Sequence, residues 1–199
     1  MIIWINGAFG SGKTQTAAEL HRRLENSHVY DPERAGFFLR RNMPAEISGG
    51  NFQHKTVWRT INYELIKYMY AAYRGTLIIP MTLYDKTCFE EIIGKLRQDG
   101  VRVDHYILGA DRETILKRLS KRLEKKNSWA AQHIEICLRG FDALKDRSIC
   151  IDTNTSSIYD TVETIAETSV LRLKKDTGTK LARAIQRAAV QIKHIRLFT

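Results

Sequence analysis

Eight residues near the amino terminus carry the clearest chemistry in the chain. Gly7-Ala8-Phe9-Gly10-Ser11-Gly12-Lys13-Thr14 fits G-x-x-x-x-G-K-[ST] at every fixed position. Glycines in this pattern let backbone N–H groups turn inward around phosphate oxygens, and a helix opening at the end of the run adds positive potential. The Lys13 ammonium can then reach the β- and γ-phosphates, and the Thr14 hydroxyl can ligate Mg²⁺. The segment predicts a phosphate loop for ATP or GTP, with Gly7 to Thr14 as its binding residues. A chance glycine-rich turn is the alternative. The strand-like run before the loop and the helix-like run after it argue against that.

A phosphoryl group held there needs an acceptor and stabilisation of its charge. Val29-Tyr30-Asp31-Pro32-Glu33 closes the second strand-like run at the same sheet edge. Asp31 is the first candidate to take a hydroxyl proton or hold a metal-bound water, and Glu33 the second. Asp-Pro-Glu is also the pattern of a helix N-terminus, and the two roles are compatible. After the third strand-like run no acid stands where many phosphate-loop enzymes hold Mg²⁺; Thr82 is the nearest polar residue, and Asp85 follows in a loop. Mg²⁺ is then left to Thr14, the phosphates, water and Asp31, which fits a motor ATPase poorly and a small kinase or nucleotide-gated binder well. Arg118 and Arg122, four apart on one helical face, predict guanidinium groups that close over the γ-phosphate from a lid at about 118–135. A solvated basic face is the plainer reading of that pair. Arg139 could return to the site from the far side of the lid. Lys13, Asp31, Arg118 and Arg122 form the expected catalytic set, with Thr14 on the metal.

Two further groups bear on recognition. Asp152-Thr153-Asn154 follows the fifth strand-like run, where a loop can read adenine through its backbone. Phe52, His54, Trp58, Arg59, Asn62 and Tyr63 would suit a stacking pocket for a nucleoside or sugar, or else form core with a polar rim.

These residues need elements to hold them. Strands are expected at Ile2–Asn6, His28–Asp31, Thr76–Thr82, Val101–Ala110 and Ser148–Asp152, with helices at 13–25, 32–42, 55–73, 86–99, 111–125, 129–144 and 156–169. The alternation predicts an α/β fold of three layers: a mostly parallel five-stranded sheet flanked by helices, with ligands outside the carboxyl ends of the strands. Residues 1–170 form the expected phosphate-loop domain. A linker near Leu173–Thr179 leads to a basic amphipathic helix within 171–199.

The chain has 199 residues and a formal net charge of +10. Residues 171–199 hold eight Lys or Arg against Asp176, so the tail supplies +7; residues 112–126 hold seven against Glu113 and Glu124, adding +5. The rest is slightly acidic. Charge concentrated in two places disfavours a nucleic-acid coat and favours local anionic partners. Leu181, Ile185, Ala188, Ile192 and Ile195 form one apolar stripe among Lys180, Arg183, Arg187, Lys193 and Arg196. Such a helix can lie on an anionic membrane through residues 180–198, or dock on its own domain or a second subunit. Nucleic acid is the least favoured, for want of interleaved aromatics. Cys88, Cys137 and Cys150 show no metal or disulfide spacing, which suits a reducing cytoplasm. Met1 leads straight into Ile-Ile-Trp-Ile, so no signal peptide is expected.

Several segments together resemble one family. They are Trp4 through Ala17, Tyr30-Asp31-Pro32-Glu33, Tyr73-Arg74-Gly75, Pro80-Met81-Thr82, Lys126-Asn127-Ser128-Trp129-Ala130-Ala131 and His194-Ile195-Arg196. They resemble the bacterial tunicamycin resistance proteins over nearly the whole chain. The phosphate loop alone is shared by many families, whereas the Asn-Ser-Trp-Ala-Ala segment is far more specific. The resemblance implies an ATP-binding P-loop protein, related in fold to nucleoside-monophosphate, shikimate and gluconate kinases, that protects against a nucleoside-lipid antibiotic. It also implies that Gly7 to Thr14 bind ATP and that the tail associates with membrane. Phosphorylation of the drug and its sequestration remain alternatives.

Overall fold

Ile2 to Gly7 is buried at every position, as a strand covered on both faces must be, and forms the central strand β1 (Ile2–Gly7) of a computed structural model. The structure describes residues 1–120, 132–176, 178–179, 185 and 187–190. Around β1 the sheet runs β2 (Ser27–Val29), β3 (Thr76–Pro80), β1, β4 (Val103–Gly109), β5 (Ile149–Asp152), and every neighbouring pair is parallel. The sheet is thus wholly parallel. The chain leaves β1 for the far edge at β2, returns beside β1 as β3, then crosses to β4 on the other side. That reversal leaves a crevice at the carboxyl end of β1, where ligands of open α/β sheets bind.

The helices are α1 (Lys13–Arg23), α2 (Glu33–Asn42), α3 (Ala45–Ser48), α4 (Thr56–Ala72), α5 (Lys86–Phe89), α6 (Lys95–Gln98), α7 (Arg112–Ser120), α8 (Ile134–Asp142) and α9 (Ile158–Ser169). A π-helical turn, Glu90–Gly94, joins α5 to α6. Side chains alternate across a strand, so β1 feeds two cores. Ile2 and Trp4 pack with Leu77, Ile79 and Ile107 under α4 to α8. Ile3 and Ile5 pack with Ile78, Tyr106 and Leu108 under α1 and α9. The start of α9 is fixed by a capping box in which Ser157 and Asp160 satisfy each other's backbone N–H.

Strand β3 stops at Pro80, two residues short of the expectation, because Met81 to Leu83 turn to bond the phosphate-loop strand: the Leu83 N–H donates to Asn6 Oδ1 at 2.9 Å. The helix expected over 111–125 is present as α7, and 121–131 lie outside the described residues. The 171–176 segment is neither helix nor strand. It is pinned along the end of α1, where the Lys174 N–H donates to Arg23 O at 2.9 Å, Arg23 Nε donates to Lys174 O at 3.0 Å, and Arg22 pairs with Asp176 at 2.9 Å. Of the tail, residues 187–190 are helical, and Gln15 Nε2 on α1 donates to Arg187 O at 2.9 Å. Leu181, Ile192 and Ile195 of the apolar stripe lie outside the described residues. No helix among the described residues is long and apolar enough to cross a membrane.

Candidate functional site

The loop between β1 and α1 has the backbone of a phosphate cradle. Gly7, Gly10 and Gly12 have φ of 147°, 86° and 105°, a region that side chains other than glycine seldom occupy. At Gly7 space also excludes a side chain, since a Cβ would lie 2.5 Å from Ser11 Oγ and 2.8 Å from Leu108 O. Gly12 caps α1 without a side-chain bond, which leaves the first N–H groups of an eleven-residue helix facing the loop. Lys13 Nζ donates to Gly7 O at 2.9 Å and Ala8 O at 3.1 Å, so the ammonium stays over the loop. Ser11 Oγ is buried with no hydrogen-bond partner among the described residues, and a phosphate oxygen is the group that would satisfy it. The residues present therefore fit a nucleoside triphosphate: Gly7 to Thr14 would hold it, and Thr14, in the first turn of α1, would face its metal. Among the described residues no cluster of His, Cys, Asp and Glu could hold a metal without the phosphates.

Below the loop lies a group that the sequence reading passed over. Asn6 is the penultimate residue of β1, and all four hydrogen-bonding positions of its buried amide are used. Oδ1 accepts the N–H of Gly7 at 2.8 Å and of Leu83 at 2.9 Å, while Nδ2 donates to Leu83 O at 2.6 Å and approaches His105 Nε2 at 3.2 Å. That contact leaves the proton on His105 Nδ1, which faces Ser148 Oγ at 2.7 Å. Burial, then Arg97 and Arg147, push the imidazole down to about 3, so it stays neutral. Thr82 completes the support by donating to Gly7 O at 2.9 Å; the residue in the place of a metal-holding acid positions the loop instead. The signal was a polar residue closing the all-apolar run Ile-Ile-Trp-Ile-Asn. Asn6→Ala is expected to cost about 2–4 kcal/mol, because several buried partners lose their bonds together, and to weaken nucleotide binding. Urea unfolding and a nucleotide titration check this, and a variant as stable as the parent would remove Asn6 as the anchor.

Asp31 and Glu33 stand at the carboxyl edge of β2. Asp31 Oδ1 accepts the Glu33 N–H at 3.0 Å, so Asp31 does serve the start of α2, one residue before Pro32. Burial raises its carboxyl against the opposing pull of that N–H, Arg34 and Lys13. The Glu33 side chain makes no hydrogen bond or ion pair among the described residues. Burial, then the Asp31 charge, push it up to about 7, with Lys13 pulling down. Both carboxylates thus share the field of the phosphate-loop lysine. Tyr30 and Trp58 brace them: Tyr30 Oη donates to Asn62 Oδ1 at 2.7 Å, and Trp58 Nε1 donates to Pro32 O at 3.1 Å.

The other expected residues separate. Arg118, on α7, donates to Thr153 Oγ1 at 3.2 Å and also to Thr153 O, which ties it to the loop after β5. Thr153 in turn donates to Gly109 O through its N–H and its hydroxyl, both at 2.8 Å. Arg122 lies outside the described residues, as does most of the lid at 118–135. Arg139 is exposed on α8. The stacking pocket does not form. Trp58 and Asn62 are buried in bonds to their neighbours, and Arg59 pairs with Glu91 at 2.7 Å. Tyr63 bonds Asp99 on the outer surface, and His54 is exposed. Asp85 caps α5, accepting the Cys88 N–H at 2.9 Å.

Sheet order, phosphate loop and paired acids define a P-loop protein of kinase-like fold. Residues 2–144 match the AAA domain family, and the chain belongs to it. The particular likeness is to the Deinococcus radiodurans tunicamycin resistance protein, at 28% identity and a TM-score of 0.73, covering 88% of this chain and 99% of that one. A Janibacter sugar kinase (17% identity, TM-score 0.62, covering 85% and 94%) and a Sinorhizobium meliloti gluconokinase (14%, 0.57, covering 94% and 95%) share the fold. No curated protein matches the chain in sequence.

Proposed function

We propose that the protein is an ATP-dependent small-molecule kinase that phosphorylates a hydroxyl of a nucleoside-type antibiotic of the tunicamycin class. The observation that carries this is Glu33. It is a carboxylate with no hydrogen-bonding partner among the described residues, set beside Asp31 and within the field of the phosphate-loop lysine, and burial, then the Asp31 charge, push it up toward the range that suits a general base. Bound ATP·Mg²⁺ supplies the phosphoryl group. Gly7 to Thr14 would hold it, with Lys13 directed to the β- and γ-phosphates and Thr14 to the metal. Glu33 accepts the proton of the acceptor hydroxyl, whose oxygen forms the new bond to γ-phosphorus as the bond to the β–γ bridging oxygen breaks and ADP leaves. Asp31 fixes the entry of α2 and keeps the base poised. Arg118 and Arg122 neutralise the transferring group when the lid closes, which requires Arg118 to leave Thr153.

The domain of residues 1–170 carries this chemistry in the cytoplasm. The basic residues within 171–199 bring it to the inner face of the membrane. ATP-dependent sequestration without transfer is the second reading, favoured by Thr82 in place of a metal-holding acid and by Arg118 spent on Thr153. Incubation with ATP, Mg²⁺ and tunicamycin, followed by mass spectrometry of the drug, tests the proposal. A gain of one phosphate is the expected result. Unchanged drug mass with saturable, ATP-dependent binding would replace the kinase by the sequestering protein.

A further inference from the structure

A third basic surface lies outside the two basic blocks at 112–126 and 171–199. Residues 34–57 hold Arg34, Arg40, Arg41 and Lys55 against Glu46 alone. They fold into α2, α3 and the turn leading to α4, beside Asp31 and Glu33. The two buried residues of α2 are Gly36 and Leu39. At 100° per residue, Arg34, Phe38 and Arg41 lie within a 60° arc on the side away from them. Phe38 is 61% exposed there, and Ile47 on α3 is 56% exposed. Two cations stiffen the corner: Lys55 Nζ donates to Ile47 O at 2.6 Å, and Arg40 reaches Gly50 O at 3.4 Å. Arg34 and Arg41 form no ion pair among the described residues.

We infer that the outer face of α2 and α3 is a contact surface for an anionic lipid bilayer, separate from the tail. A phenylalanine and an isoleucine held outward cost free energy in water and gain it in the acyl boundary. On α2, Arg34 and Arg41 flank Phe38 on one face, where the phosphates of an anionic bilayer would meet them. A protein partner burying this face would need acidic groups opposite Arg34 and Arg41, whereas a bilayer supplies that charge at every position. Because Glu33 sits on the same helix, contact here places the acceptor site at the membrane surface. The inference stands on α2 and α3 whether or not phosphate is transferred.

Sedimentation of the full-length protein with vesicles of phosphatidylcholine alone, or of phosphatidylcholine mixed with phosphatidylglycerol, provides the test. Arg34→Gln with Arg41→Gln is expected to lower partitioning onto the anionic vesicles about tenfold, and Phe38→Ser with Ile47→Ser to lower it by a similar factor. All four sites are exposed, so the melting temperature should hold. Phe38→Trp in the intact chain gives a readout that the tail cannot imitate: shallow brominated lipids should quench its added fluorescence. Unaltered partitioning of both double variants would overturn the proposal. So would an unquenched Trp, or a wild-type dimer that the Phe38→Ser, Ile47→Ser chain loses.

Discussion

Lys13→Ala is expected to abolish phosphoryl transfer within the precision of the mass measurement, a loss of about 10²–10³ or more. A donor aimed at developing charge in a site that excludes water is worth about 3–4 kcal/mol. The geometry adds a second effect that the motif alone does not predict. The ammonium bonds two carbonyl oxygens of its own loop, Gly7 O and Ala8 O, and so opposes the repulsion of two acceptors turned toward one point. Without it the cradle loses shape as well as charge, and nucleotide affinity should fall together with turnover. The same cation pulls both Asp31 and Glu33 downward. Its removal should therefore raise the titration of Glu33 above about 7, visible by NMR of the labelled carboxyl even in an inactive chain. Wild-type nucleotide affinity in Lys13→Ala, with Glu33 unmoved, would show that the lysine does not govern this site.

The parts of this site that were legible in the sequence are those whose signal is local. The phosphate loop declares itself because each glycine answers a backbone requirement at its own position, and Asp31-Pro32-Glu33 because a capping pattern is a matter of adjacent residues. The alternation of apolar runs with helical stretches gave the five strands, since burial on both faces leaves little choice of residue in β1, β3 and β4. What escaped was pairing at long range. Asn6 and His105 are 99 positions apart and meet only because β4 lies beside β1. Thr82 reads as a missing acid until its hydroxyl is seen on Gly7 O. The aromatic residues between 52 and 63 misled for the opposite reason. Composition alone cannot distinguish a ring that faces a ligand from Trp58, whose indole N–H is spent on Pro32 O inside the core. Arg118 belongs to the same class, because its position on α7 was legible and its hold on Thr153 was not.

Glu33→Gln is expected to produce a protein that is both inactive and more stable at alkaline pH. The ordinary glutamate value is 4.5, and in the folded chain burial and Asp31 push Glu33 up to about 7. An acid with a raised folded-state value adds stability that is complete below 4.5, declines as the pH rises, and is gone once the pH passes about 7. Above that range the wild-type chain must bury a charge that glutamine never carries. Glu33→Gln should therefore melt like the parent near pH 4 and above it at pH 8, by at most about 3 kcal/mol. Catalysis runs the other way: the wild-type rate should climb with pH through about 7 as the carboxylate forms. Glu33→Gln should lie about 10²–10⁴ below it, without that rise. Asp31→Asn keeps an Oδ1 to accept the Glu33 N–H and removes a neighbouring negative charge, so its rate profile should move to lower pH and retain its height. An inactive Asp31→Asn beside an active Glu33→Gln would reverse the assignment and make Asp31 the base. A single pair of pH profiles, with melting curves over the same range, therefore separates the carboxylate that takes the proton from the one that holds the helix in place.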